Sequence, residues 1–348
     1  KLFLKSFSVS FIETLDNEFI LFPEMLFPIL VSYKNQIILK VILFKMEMTS
    51  KYSPLPGEFV YKNIYWVLWS SCDIIKRIEE EMEFFSDDIL VATFPKSGTT
   101  LLEEIVWLVL NDADLVKARQ LKIFLRIPFI DENYTHEFPG FDGKNLAIDI
   151  IDKWPRPRIL KTHLPVSNLR CRLDSNSGMK TIIVMRNPKD TAVSMYHFYC
   201  GAVDYGPYRE GWDNFFNRWI DGWISGGDWL EVTKDWWLER YRPNLKIMFY
   251  EDLIKNKYDS IKEICSFFQV DLSTQQINKI IVHTEFESMR ANPMTNYENV
   301  FGFEESFCFM RKGKIGDWKN WFSDAQNKAL ENKYNPILEQ IGLEFQYE

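Results

Sequence analysis

From Met46 onward one pattern repeats along the chain: a short, continuous apolar run, a polar turn, then a stretch with helical spacing. Ile89–Phe94 is followed by Thr99–Leu110, Thr181–Met185 by Asp190–Cys200, and Leu245–Phe249 by Tyr258–Phe268. Arg158–Leu160 is a shorter run of the same kind. Strands that are apolar on both faces do not lie on a solvated sheet, and intervening helices supply the crossovers that parallel neighbours require. The pattern predicts an α/β fold, a single domain with a central parallel sheet flanked by helices. In such sheets ligands bind beyond the carboxyl ends of the strands. Here those ends carry Lys96, His163, Arg186 and Tyr250. Any one alone reads as an exposed turn or loop residue, the usual fate of a polar side chain. Four at one sheet edge point to a site.

Charge narrows what that site can hold. Among 348 residues, 41 Lys and Arg face 49 Asp and Glu, a net charge of -8. Wrapping DNA or RNA calls for the opposite balance, so nucleic acid is not an expected partner, and any bound anion needs a local cluster of positive groups. Five cysteines (Cys72, Cys171, Cys200, Cys265 and Cys308) are scattered without a CxxC pair, and the histidines number only four. That spacing supports neither a disulfide framework nor a metal site. Free, buried thiols in a reducing, cytoplasmic setting are expected.

Residues 1–45 differ from the rest, lacking Gly, Ala, Trp, Cys, Arg and His altogether. Glu24, Pro23 and Pro28 interrupt the apolar stretch Phe19–Tyr33, and Lys34 and Lys40 bracket the residues just beyond it. No window reaches the roughly 18–20 uncharged residues of a membrane span. The small residues of a secretory cleavage point are also absent. The segment reads as an extension outside a folded domain at 46–348, with Met46 and Met48 as candidate starts and no membrane partner.

Phe94-Pro95-Lys96-Ser97-Gly98-Thr99-Thr100 follows a strand and opens a helix. Small residues let backbone approach a ligand, and the unpaired N–H groups of a helix start, with the Lys96 ammonium, make an anion cradle. The order Lys-Ser-Gly is not that of a Walker A loop, which disfavours a nucleoside-triphosphate enzyme. A second anion site is suggested by Arg186, a planar fork suited to phosphate, and Ser194, eight residues on and just over two helical turns away. A third basic cluster, Arg311-Lys312-Gly313-Lys314, alone reads as a surface loop.

Together these strings resemble the cytosolic sulfotransferases, over about Pro54 to Glu348. The resemblance rests on Phe94–Thr100, Lys161-Thr162-His163-Leu164-Pro165, Arg186–Ser194 with Tyr196-His197-Phe198, Phe249-Tyr250-Glu251-Asp252, and Arg311 through Lys319, in family order. It implies the P-loop nucleoside triphosphate hydrolase-like sulfotransferase fold. It also implies transfer of a sulfuryl group from 3'-phosphoadenosine 5'-phosphosulfate to a hydroxyl or amine, without a metal. Lys96, Ser97, Gly98, Thr99 and Thr100 would hold the 5'-phosphosulfate end. Arg186 and Ser194, joined by Arg311, Lys312 and Gly313, would hold the 3'-phosphate. Tyr250 and Thr284 would contact the adenine, with Phe286, Phe309 and Met310 nearby. His163 would be the general base, Lys96 would follow charge on the bridging oxygen, and Lys161, beside His163 in the acceptor pocket, would stabilise the transition state with Lys96. Phe129 and Phe198 fall at positions that line that pocket in similar enzymes, which suits phenols, steroids or other flat alcohols of the kind met in xenobiotic or hormone conjugation.

Two departures bear on function. Leu101 stands where the family usually has a tryptophan stacked on adenine, so weaker donor binding is expected. The family's homodimer motif after Asp317-Trp318 reads here as Lys319, Ser323-Asp324 and Lys328, losing its apolar centre and reversing one charge; a monomer is expected. Phe301, Phe303 and Phe307 lie in the loop before the last basic cluster, and Trp219, Ile220 and Trp223 are spaced as a core face of one helix. The rival readings are a P-loop nucleotide kinase, a binding protein of the same fold without catalysis, and a membrane-anchored carbohydrate sulfotransferase using residues 1–45.

Overall fold

A two-residue turn at Lys62 and Asn63, both with positive φ, folds β1 (Glu58–Tyr61) back onto β2 (Ile64–Val67) as an antiparallel hairpin. Turns of this hand match the right-handed twist of the strands they join. The remaining strands, β3 (Ile89–Thr93), β4 (Ile159–Thr162), β5 (Lys180–Met185) and β6 (Leu245–Phe249), form one sheet in the order β4-β3-β5-β6. Every neighbouring pair in it is parallel. The computed structural model describes residues 52–132, 147–175, 178–203, 206–297, 303–304 and 307–348. The extension expected at 1–45 and Phe301 lie outside the described residues, and residues 52–348 make one unit.

Both sheet faces are covered, as uninterrupted apolar strands demand. Leu90, Ala92, Ile183 and Met185 point into one core, and Ile89, Val91, Ile182 and Val184 into another beneath α1 (Thr99–Leu110). Burying each such aliphatic side chain contributes about 1.5–3 kcal/mol. The other helices that place site residues are α2 (Pro188–Gly201), α3 (Tyr250–Lys255), α4 (Lys257–Phe268), α5 (Thr274–His283) and α6 (Asp324–Ile341). No helix among the described residues is long and apolar enough to cross a membrane.

Several local expectations shift. β4 starts and ends later than Arg158–Leu160, because Lys161 and Thr162 pair with Val91 and Ala92 despite their polarity. Arg158 instead directs its guanidinium to Asp88, at 3.0 and 2.5 Å. Of the supposed Trp219 face only Trp219 is fully buried; the helix ends at Ile220, and Trp223 lies beyond it, edge-on to Tyr65 at 5.6 Å. The five thiols are free as expected, but Cys265 alone is buried, and Cys72, Cys171 and Cys308 are exposed.

Candidate active site

The chain runs β3 to β4 on one side, then returns to place β5 on the other side of β3. Such a reversal opens a crevice at the strands' carboxyl ends. The turn Phe94–Gly98 and Arg186 stand on its two sides. Gly98 precedes α1 with φ +112°, and a Cβ there would come within 2.5 Å of the Tyr250 ring, so glycine is required on both counts. Thr99, Thr100 and Leu101 border a cavity of about 520 Å³, beside a helix start whose first N–H groups have no intrahelical acceptor. Lys96, itself at φ +66°, puts its ammonium 3.9 Å from the centre of the Phe309 ring and 4.4 Å from that of Phe198. Burial, then the positive charges of Arg186 and Arg311, lower its pKa to about 7.

Arg186 donates to the Lys96 carbonyl at 3.2 Å and lies 4.3 Å over the Tyr250 ring, while its Nε is buried with no partner among the described residues. Neither Lys96 nor Arg186 forms an ion pair among those residues. This is an unneutralised cationic end, and it fits a phosphate-bearing ligand. Ser194, on α2, borders it too. The cap of α2 does a second job. Asn187 accepts the Asp190 N–H at 2.8 Å and donates to Glu251 at 2.9 Å. Asp190, thus fixed, accepts the N–H groups of Gly316 at 2.8 Å and Trp318 at 3.0 Å, pinning the last basic loop against α2. Inside that loop Asp317 grips Arg311 and Lys312, each at 2.6 Å. Burial pushes the Asp317 carboxyl up, but hydrogen bonds from Lys312, Asn320 and Arg311 outweigh it and hold the pKa at about 2. Gly313, at φ +62°, lets Phe286 approach; a Cβ there would lie 2.1 Å from that ring. Thr284, Phe286 and Met310 complete this wall of the cavity.

At the other end His163 Nδ1 lies 2.8 Å from the Thr93 carbonyl and 3.0 Å from the Thr93 hydroxyl, which in turn meets Thr99 Oγ1 at 2.7 Å. A carbonyl only accepts, so Nδ1 carries the proton and Nε2 keeps its lone pair. Burial dominates, and with the nearby charges of Lys161 and Lys96 it lowers the ring's pKa to about 3 against the opposing Thr93 hydrogen bond. The His163 backbone N–H donates to buried Asp131 at 3.0 Å, and Phe129 packs on the ring at 5.0 Å. Aromatic side chains surround this end: Phe198 meets Trp69 at 6.1 Å and Phe303 at 5.8 Å, and Trp66 of β2 joins them at the wall.

The structure brings nearly every expected site residue to one cavity, including Phe129 and Phe198. Two do not reach it. Ser97 is buried, its hydroxyl lacking a partner among the described residues. Lys161 is adjacent to the site on β4, but its fully buried ammonium pairs with Glu103 at 3.0 Å rather than standing in the acceptor pocket. Trp66, Trp69, Asp131 and Tyr297 went unnoticed in the sequence, and Lys257 on α4 did as well. No local signal marks them, because the hairpin and the Asp131 segment reach the cavity only through chain folding.

The chain matches the Sulfotransferase domain family over residues 86–342. It belongs to the sulfotransferases. This sulfotransferase is 36% identical over 285 residues to Sulfotransferase 1 family member D1 of Mus musculus, covering 81% of this chain and 93% of that one. It is 36% identical over 273 residues to Sulfotransferase 1A1 of Bos taurus, covering 77% and 89%. Among solved structures it is similar to retinol dehydratase in complex with androsterone and inactive cofactor PAP: TM-score 0.71, 25% identity, 83% of this chain and 91% of the other. The parallel-sheet sulfotransferase fold read from the sequence is thereby confirmed.

Proposed function

We propose that this sulfotransferase moves a sulfuryl group from 3'-phosphoadenosine 5'-phosphosulfate to the hydroxyl or amine of a small aromatic or steroid-like acceptor. The observation that carries it is the cavity's polarity. One end holds Lys96 and Arg186 without counter-ions among the described residues, and the other holds a neutral imidazole among aromatic rings. That the related retinol dehydratase was solved with androsterone and PAP supports both halves of the reading. Arg186, Ser194 and the pinned Arg311–Gly313 loop would take the 3'-phosphate, and the Lys96–Thr100 turn the phosphosulfate, with Ser97 contributing from behind. Tyr250, Thr284 and Phe286 would enclose the adenine, alongside Phe309 and Met310.

In the reaction the acceptor oxygen bonds to sulfur as the bond from sulfur to the bridging phosphate oxygen breaks. His163 Nε2 takes the acceptor's proton, and Lys96 stabilises the charge left on the bridging oxygen. Positive donors and helix N–H groups suffice for this. The resemblance also gives Lys161 a share in stabilising the transition state, from its place on β4 beside Phe129, with Glu103 at 3.0 Å as its counter-charge. The deciding experiment is incubation with sulfur-labelled donor and a panel of phenols, sterols and amines. Transfer of label to at least one class is expected. PAP binding without transfer to any of them would leave a nucleotide-binding protein instead.

A further inference from the structure

Four apolar side chains, Leu101, Ile254, Tyr258 and Ile281, border the cavity and pack against the core beneath α1. Lys257 and Thr284 border it with them. Lys257 opens α4, the end of a helix that disfavours a cation. Its ammonium reaches across instead to the residue that caps the C-terminal end of α5, donating to the Thr284 carbonyl at 2.8 Å. Capping α5 accounts for that one bond. It does not account for a half-buried lysine at a cavity wall that forms no ion pair among the described residues. Glu285 acts on the ammonium through space, but burial outweighs that pull and lowers its pKa. The neighbouring Lys255 is engaged elsewhere, with Gln346 Oε1 at 3.0 Å and the Glu348 carbonyl. The Thr284 hydroxyl donates to the Ile280 carbonyl at 2.8 Å, so towards a ligand its oxygen can only accept.

An ammonium beside a carbonyl sets a donor next to an acceptor. One spent N–H leaves Lys257 two more, and the Thr284 carbonyl keeps a second lone pair. Adenine carries the complement: its N6 amine donates, and N7 on one side of the amine, or N1 on the other, accepts. Guanine has the O6 acceptor in place of that amine and would set oxygen against oxygen at Thr284. We propose that Lys257 is a specificity-determining residue for the nucleotide: its ammonium donates to N7 or N1 of the adenine while the Thr284 oxygens take the N6 amine. This edge contact stands in for the stacking that Leu101 cannot provide. The inference rests on the donor reading above and adds a residue to it. Unlike Lys96 and Arg186, Lys257 serves the base and not a phosphate.

The test is a binding cycle on the full chain, by calorimetry, with PAP and its 1-deaza and 7-deaza adenine analogues. Each analogue replaces one accepting nitrogen with C–H. The parent is expected to bind one of the two about tenfold more weakly than PAP, the size of one hydrogen bond from a charged donor. Lys257→Met is expected to bind PAP about tenfold more weakly than the parent, and to bind PAP and that analogue within about threefold of each other. Lys257→Met that keeps the parent's tenfold contrast overturns the proposal. So does a variant whose Tm falls while PAP affinity holds, which leaves a helix-capping lysine only. Should Lys257→Met not fold, Lys257→Ala takes its place in the same cycle. If neither folds, the parent decides: a tenfold loss for one analogue upholds the contact, and equal binding of all three ligands overturns it. A parent that binds no PAP refutes the donor reading itself, and this inference with it; a parent that binds PAP without the contrast refutes the Lys257 contact alone.

Discussion

At His163 the backbone decides what the side chain can do. The Thr93 carbonyl holds the Nδ1 proton, and burial keeps the ring neutral down to a pKa of about 3, so the acid limb of kcat/KM should fall well below the 6.5 of an ordinary imidazole. His163→Ala is expected to lower kcat by about 10²-fold or more with PAP affinity unchanged by calorimetry; near-normal turnover would remove the general base. Lys96 is expected to set the other limb. Donor binding favours its charged form, so affinity is full below a free-enzyme pKa of about 7 and is lost as pH rises through it. The expected result is kcat/KM for the donor falling about tenfold per pH unit above that point. Lys96→Arg, which stays charged, should move this limb far to alkaline pH; an unmoved limb would assign it elsewhere. Lys96, His163 and Arg186 were legible because strand-turn-helix grammar puts them at one sheet edge. Asp131, which holds the His163 backbone, was not, since 32 residues separate them and nothing local announces the bond.

Between elements, Asp190 has the widest reach. Its carboxylate sits in the capped first turn of α2 and takes two N–H groups from a loop 126 and 128 residues further on. Those bonds present Arg311, Lys312 and Gly313 to the cavity. Asp190→Ala is therefore expected to weaken PAP binding by about tenfold or more, each charge-assisted bond contributing about 1.5–3 kcal/mol before relaxation. Adenosine 5'-phosphosulfate, which lacks the 3'-phosphate, should bind nearly as before. Equal losses for both ligands in calorimetry would show the loop serving the whole nucleotide. In the sequence Asp190 reads only as a helix-start acid, and the basic loop alone reads as surface. Its placement needed the hydrogen bonds.

For the whole molecule, the surface expected to lack a dimer contact is polar in the fold as well. Ser323, Asp324 and Lys328 are exposed around the start of α6, and Lys319 pairs with Glu348 at 2.6 Å. Burying that charged surface against a copy of itself would be costly, so we expect a monomer by light scattering at micromolar concentration; a clear dimer would overturn this. Uninterrupted apolar strands alternating with helices were enough to establish a parallel sheet, and the residues leaving its carboxyl edge were enough to point to the cavity they share. Both come from local periodicity, which survives in any reading of the letters. Which lysine faces the cavity and which pairs with a buried glutamate, and which aromatic rings line that cavity, depended on contacts between segments far apart in the chain. Side-chain charge is a property of surroundings, and surroundings exist only once the chain has folded.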